Sequence, residues 1–369
     1  MKIAVDVRAL MNGRHSGVEE YTWQLLNAMV RVRPDNEYLA FYNAWGNVRM
    51  PKLPDGVELH AFTWPNKILN GSQLVAGFPK WDSLVKADVY FAPGIRLLPL
   101  NKKVPLVVTA HDLSFVRFPE FYTSRQRWWH WYVQPKQLFK RAERVVSVSE
   151  NTARDLGHLY GIDRKKISVV YSGVRLARES KGDVERVKRE LDLPGKYILF
   201  LGAFEPRKNI AGLIRAFGMI ADFIDHDLVL AGCSGWLPRS MVKALEESKV
   251  RRRIHVIGFV SEKDKGPLYE GADLFVYPSF YEGFGIPPLE ALVNGTPVVT
   301  SFNSALPEVV GEWATLVDPY RTQELALVIK EELRQGRRIE PAIRDEVARR
   351  YSWERAGRET LVVLEEAVK

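Results

Sequence analysis

Residues 273–300 read DLFVYPSFYEGFGIPPLEALVNGTPVVT. Asp273–Tyr277 is an apolar run of strand length, and Pro278–Gly285 is a loop with two glycines. Ile286–Val293 follows with helical character, and its Pro287 and Pro288 fall in the first turn, where a missing N–H costs little. Gly295 is placed to cap the helix and Pro297 prevents its continuation, after which Val298–Thr300 reads as the next strand. Strand, helix and strand fit within these 28 residues. That is close to the ~30 of a βαβ crossover, which makes the sheet parallel.

The same alternation extends outward on both sides. Towards the C-terminal half, Tyr197–Leu201, Asp227–Ala231 and Ile254–Ile257 read as strands. Ile210–Ile224, with Asn209 as N-cap, and Arg239–Ser248 read as helices. In the N-terminal half Lys2–Val5, Glu37–Tyr42, Val57–Phe62, Val89–Phe91, Leu106–Ala110 and Val145–Val148 read as strands, and Val18–Val30 as a helix. Residues 177–194 are polar and charged and are read as a linker or the boundary of an early helix. The expectation is an α/β protein of two doubly wound domains, 1–176 and 195–351, with a last helix over about 352–369.

Composition agrees with a globular chain. It has 369 residues, 46% hydrophobic and 27% charged. A single cysteine, Cys233, rules out an internal disulfide and a Cys-rich zinc site. No basic-then-apolar leader precedes the first strand and no run of 18 apolar residues occurs, so the expected location is cytoplasmic, with any membrane contact peripheral. The net charge of +8 is unevenly placed: residues 1–180 carry 26 Lys+Arg against 16 Asp+Glu, and residues 181–369 carry 27 against 29. A basic half suits an anionic surface or a phosphorylated substrate, or is simply solvated.

Glu282 and Glu290 bracket the glycine loop. Acids so near a helix N-terminus would repel phosphate, so they suit sugar and ribose hydroxyls better. The plain alternative is a pair of surface glutamates. Strand Tyr197–Leu201 runs into Gly202-Ala203-Phe204-Glu205-Pro206-Arg207-Lys208-Asn209. Arg207 and Lys208 stand before a helix N-terminus and can clamp a pyrophosphate, or can form a surface pair with Glu205 as partner.

The string from Pro278 to Ala291 closely resembles the E-x7-E signature of glycosyltransferase family 4, and the rest of the chain resembles that family over essentially its full length, nearest its mannosyl- and rhamnosyl-type branch. The resemblance implies a GT-B fold: two Rossmann-like domains facing across a cleft, the N-terminal one taking the acceptor and the C-terminal one the nucleotide-sugar donor. It also implies a final helix, after Tyr351-Ser352-Trp353, that returns to the N-terminal domain. Glu205-Pro206-Arg207-Lys208-Asn209 matches the donor-phosphate motif. Gly283, Phe284, Gly285 and Glu290 belong to the donor loop, and Ile254–Val260 to the segment that meets the nucleobase, with Val260 as contact residue. Two places depart from relatives: Ala203 stands where some have arginine, and Arg175 where many have aspartate.

The first βα loop, Asn12–Glu19, lacks G-x-G-x-x-G and resembles the glycine loop that approaches the donor diphosphate, with Gly17 as the candidate. His111-Asp112-Leu113-Ser114-Phe115 follows a strand and is typical of the mannosyltransferase-like branch. It implies His111 on the donor sugar and Asp112 either orienting it or binding acceptor hydroxyls. Residues 124–144 interleave Arg125, Arg127 and further cations with Trp128, Trp129 and Trp131, which suits either anionic lipid on the acceptor side or a helix with an aromatic core face.

The expected activity is retaining transfer of a hexose, with GDP-mannose as donor and a lipid-linked or polysaccharide acceptor. His111 and Glu282 are the catalytic candidates, and no nucleic-acid partner is expected. No metal or other cofactor is expected, on the supposition that the chain lacks the Asp-x-Asp pair with which metal-dependent transferases hold an ion. The rival readings are an epimerase of the same fold and a non-catalytic nucleotide-sugar-binding protein at the membrane.

Overall fold

The computed structural model describes residues 1–12, 17–175, 181–232 and 237–369. The chain forms two compact units. Unit 1 is Met1–Gly173 with Ser352–Lys369, and unit 2 is Val174–Tyr351.

Unit 1 is built on seven strands: β1 (Lys2–Asp6), β2 (Glu37–Asn43), β3 (Val57–Phe62), β4 (Val89–Ala92), β5 (Leu106–Ala110), β6 (Arg144–Ser147) and β7 (Ile167–Val169). Their order is β3-β2-β1-β4-β5-β6-β7, and every pairing is parallel. All residues of β4 and β5 are buried, as a parallel sheet covered on both faces requires. Strand order reverses between β1 and β4, and in such sheets ligands bind outside the carboxyl ends at the reversal.

The helix Trp353–Val368, whose N-cap Ser352 accepts from the Arg355 N–H at 3.2 Å, packs on the helix Gly17–Val32. Gly357 permits their close approach: a Cβ there would lie 2.9 Å from Ala28 Cβ and 3.0 Å from its carbonyl carbon. The buried face of the late helix, Ala356, Thr360, Leu361, Leu364 and Ala367, follows helical spacing.

Unit 2 repeats the scheme with β8 (Tyr197–Leu201), β9 (Asp227–Ala231), β10 (Ile254–Gly258), β11 (Leu274–Tyr277), β12 (Val298–Ser301) and β13 (Thr315–Val317). The order is β10-β9-β8-β11-β12-β13, again parallel, with the reversal between β8 and β11. These are the two expected Rossmann-like sheets.

Of the two readings of 177–194, the early helix is the one seen: Lys181–Glu190, whose Val184 and Val187 are buried. Two local expectations need revision. The helix read as 210–224 ends at Ile220 and continues as a 3-10 turn, Ala221–Phe223. Asn209 does stand at the N-cap position, but in left-handed backbone with no side-chain cap; its Nδ2 instead donates to Pro319 O at 2.7 Å. Among the described residues no helix is long and apolar enough to cross a membrane.

Candidate active site

In unit 2, β8 pairs directly with β11, so the loops leaving their carboxyl ends lie side by side. The first ends in the 3-10 turn Pro206–Lys208; the second is the glycine loop that enters the helix Ile286–Val293. Gly285, the N-cap of that helix, has φ +101°, and an added Cβ would fall 2.7 Å from Leu306 Cδ2. Glycine is therefore required there on two counts.

The two loops are joined through Glu282. Lys208 Nζ donates to Glu282 Oε1 at 2.5 Å, and Arg207 Nη1 donates to Glu282 Oε2 at 2.8 Å. Lys208 also donates to the Tyr277 hydroxyl at 2.5 Å, and Arg207 Nε to Glu205 Oε2 at 2.7 Å. Lys208 is 6% and Glu282 5% exposed. Burial pushes the Glu282 carboxyl up, but Arg207 and Lys208 outweigh it and hold the group at about 2. Burial and then Arg207 pull the Lys208 ammonium below its ordinary value, against the attraction of Glu282. Glu282 is therefore ionised at neutral pH.

Sequence reasoning brought these three side chains into one site but treated the cations and the acid as separate devices. The Glu205 partner belonged to the surface-pair alternative, and Arg207 holds it as well as Glu282. A ligand oxygen that reaches Lys208 competes with Glu282 for the same protons. Tyr277, the last residue of β11, was not singled out; the rule that ligands gather at strand carboxyl ends would have found it.

Glu290 lies on the helix Ile286–Val293 and accepts from the buried Tyr269 hydroxyl at 2.8 Å. Phe284 is buried with its ring edge-on to Tyr351 at 5.7 Å, and Gly283 is buried beside it. Val260 is buried just beyond β10, next to the exposed Phe259.

In unit 1, His111 follows β5, and its Nε2 meets Pro93 O at 2.7 Å. A carbonyl only accepts, so the neutral ring carries its proton on Nε2 and a lone pair on Nδ1. Burial lowers the His111 pKa and keeps the ring neutral, and its edge packs against Tyr21 at 4.6 Å. Asp112 Oδ1 accepts from the Ser114 N–H at 2.9 Å and from its hydroxyl at 2.5 Å. That oxygen holds the start of the short helix Ser114–Arg117, where sequence reasoning had the residue orienting His111 or binding acceptor. Both residues line a cavity of about 340 Å³ together with Asp6, Arg96, Trp129 and His130. Arg96 was not singled out from the sequence, although it lies four residues beyond β4.

Gly17 is the first residue of its helix, and an added Cβ would meet nothing within 4 Å. The loop before it, 13–16, and Cys233 lie outside the described residues. The helix Ser124–Val133 begins with a capping box between Thr123 and Gln126. It separates the three tryptophans: Trp129 lines the cavity, while Trp128 and Trp131 are 59% and 67% exposed. Arg125 and Arg127 are exposed as well.

The premise behind the metal-free expectation needs correcting, because Asp225-His226-Asp227 is an Asp-x-Asp string. It sits at the amino end of β9, the opposite edge of the sheet from Lys208. Asp227 is already held by Arg253 at 3.0 Å and His255 at 2.8 Å.

The chain is similar to known glycosyltransferases. Residues 15–178 match the family described as Glycosyltransferase Family 4, and residues 183–350 that described as Glycosyl transferases group 1. The chain is 31% identical to O-antigen chain mannosyltransferase B of Escherichia coli, over 94% of this chain and 95% of that protein. It is 28% identical to MMP alpha-(1->4)-mannosyltransferase of Mycolicibacterium hassiacum, over 74% of this chain and 69% of that one. Sucrose-phosphate synthase from Thermosynechococcus elongatus shares the fold with a TM-score of 0.76 at 18% identity, over 99% and 98% of the two chains. With its two parallel Rossmann-like sheets of the GT-B type and its E-x7-E loop, the chain belongs to glycosyltransferase family 4 and is a glycosyltransferase of the mannosyltransferase-like branch.

Proposed function

We propose that this enzyme transfers mannose from GDP-mannose to a lipid-linked or polysaccharide acceptor with retention of anomeric configuration. The observation that carries the donor half is the Arg207–Glu282–Lys208 cluster at the strand-order reversal of unit 2. Two cations beside a helix entry suit a diphosphate. The names of the two mannosyltransferase relatives support the sugar.

In this reading Arg207 and Lys208 stabilise charge on the departing diphosphate, without a metal. Glu282 and Glu290 hold sugar and ribose hydroxyls, Gly283 to Gly285 bring backbone close to the donor, and Val260 borders the base. Gly17 is the candidate for a diphosphate contact, and His111 the candidate for a donor-sugar hydroxyl through its Nδ1 lone pair. The leaving diphosphate helps deprotonate the acceptor hydroxyl as the new bond forms on the same face, so no enzyme nucleophile is needed. Unit 1 takes the acceptor, with Asp112 on that side.

The exposure of Trp128 and Trp131 beside Arg125 and Arg127 supports a second element: peripheral contact of the helix Ser124–Val133 with anionic lipid on the cytoplasmic face. The donor is tested by thermal shift against GDP-, UDP- and dTDP-sugars, since a ligand of the native state stabilises it. Stabilisation by GDP-mannose alone is expected; stabilisation by a UDP- or dTDP-sugar and not by GDP-mannose overturns the donor assignment.

A further inference from the structure

The cavity of unit 1 contains a cation that forms no ion pair within contact distance among the described residues, although Asp6 and Glu19 attract it from farther off. Arg96 is partly buried, lines the cavity, and among the described residues its guanidinium makes no hydrogen bond or ion pair. The carboxylates that share the cavity are engaged elsewhere. Asp6 is held by Arg8 through two parallel bonds, 2.9 Å at Nε and 2.6 Å at Nη2, and Asp112 Oδ1 is held by Ser114. A guanidinium withdrawn from water without a hydrogen-bonding partner loses hydration that an incoming anion can replace. Burial lowers its pKa and Arg8 adds to that, while Asp6 and Glu19 nearby pull the other way.

The remaining walls suit a hydroxylated ring. His111 gives its one ring proton to Pro93 O from Nε2, and His130 gives its own to Gln126 O from Nδ1 at 2.9 Å. Burial keeps both rings neutral, so each keeps one nitrogen as an acceptor for a hydroxyl. Phe115 stacks on His130 at 4.0 Å, and Trp129 adds a second aromatic wall.

We propose that this cavity binds a sugar or polyol that carries an oxyanion, phosphate or carboxylate, with the Arg96 fork on the anionic group and the His130 imidazole on a hydroxyl. The proposal rests on the reading of unit 1 as the acceptor side and narrows the acceptor to one with a negative group close to its hydroxylated ring.

The test uses the full chain labelled with 5-fluorotryptophan, with the Trp129 resonance assigned through Trp129→Phe. Mannose 6-phosphate, glucuronate, mannose and inorganic phosphate are titrated separately. The expected result is that mannose 6-phosphate or glucuronate shifts the Trp129 signal at a concentration at least tenfold below mannose; which of the two does so identifies the oxyanion. Arg96→Gln abolishes that advantage and leaves mannose binding unchanged, while Arg96→Lys recovers part of it. Because Arg96 bonds to nothing among the described residues and is partly withdrawn from water, Arg96→Gln should unfold at or above the wild-type urea concentration. Inorganic phosphate binding as tightly as the anionic sugars would show an adventitious ion only and overturn the proposal. So would wild-type behaviour of Arg96→Gln, or no shift with any anion. Nucleoside diphosphate binding, measured by calorimetry on the same samples, reports on the donor reading separately and should not change with Arg96.

Discussion

Lys208 and Glu282, 74 residues apart in sequence, meet at 2.5 Å with both side chains buried. Breaking a buried pair strands a charge, at a cost of about 3–5 kcal/mol, whereas replacing both partners with apolar groups can be close to neutral. Glu282→Leu strands the buried Lys208 and should lower the urea midpoint strongly; Lys208→Met leaves Glu282 on Arg207 and should cost less, and adding Lys208→Met to Glu282→Leu should recover much of the larger loss. Additive losses in the double variant would show that the two side chains do not depend on each other.

The acid limb of stability follows from the same carboxyl. Its folded value of about 2 lies below the ordinary 4.5. The contribution is therefore complete above about pH 4.5 and is lost as pH falls through about 2. The stability gap between wild type and Glu282→Gln should be widest near neutrality and should narrow steadily below pH 4.5. A gap that does not change between pH 7 and pH 3 would contradict an ionised Glu282.

Donor affinity should depend on the cation. Lys208→Ala is expected to raise the dissociation constant for the nucleoside diphosphate by roughly tenfold or more, the scale of a charge-assisted bond of ~1.5–3 kcal/mol. Isothermal calorimetry decides it, and unchanged affinity would remove Lys208 from the clamp.

Glu282→Gln should separate binding from turnover. With the acid neutral, Arg207 and Lys208 are released for phosphate, so nucleoside diphosphate binding should hold or tighten while turnover falls by ~100-fold or more, as when a transition-state electrostatic contact is removed. The product linkage, read by NMR, should keep the α configuration of the donor; a β linkage would overturn retention.

Vesicle binding should be salt-sensitive. The exposed Trp128, Trp131, Arg125 and Arg127 predict co-sedimentation with anionic vesicles that weakens as salt shortens the Debye length from its ~8 Å at physiological strength. Trp128→Ala with Trp131→Ala should reduce it at any salt. Equal sedimentation with neutral vesicles would remove the electrostatic part of the claim.

The long apolar strands were legible because a strand buried on both faces must be continuously apolar: Leu106–Ala110, Tyr197–Leu201 and Asp227–Ala231 fall where the sequence places them. Strands β7 and β13 were not, since each is a three-residue edge strand with too little pattern to separate from a loop. Glu282, Arg207 and Lys208 were legible through their motifs, but their mutual neutralisation was not. It depends on β8 and β11 being sheet neighbours, which sequence order does not give because β9 and β10 intervene. Arg96 was missed for a related reason. That it forms no hydrogen bond or ion pair among the described residues becomes visible only once Asp6 is seen to be taken by Arg8 and Asp112 by Ser114.

The seat of the helix Trp353–Val368 against Gly17–Val32 has a consequence for biosynthesis. The ribosome finishes the seven strands of unit 1 and then makes all of Val174–Tyr351 before the helix that covers Ala28 and its neighbours is made. At about 5–20 residues per second that interval is roughly 10–40 s. During it the face of Gly17–Val32 that the last helix covers stays exposed.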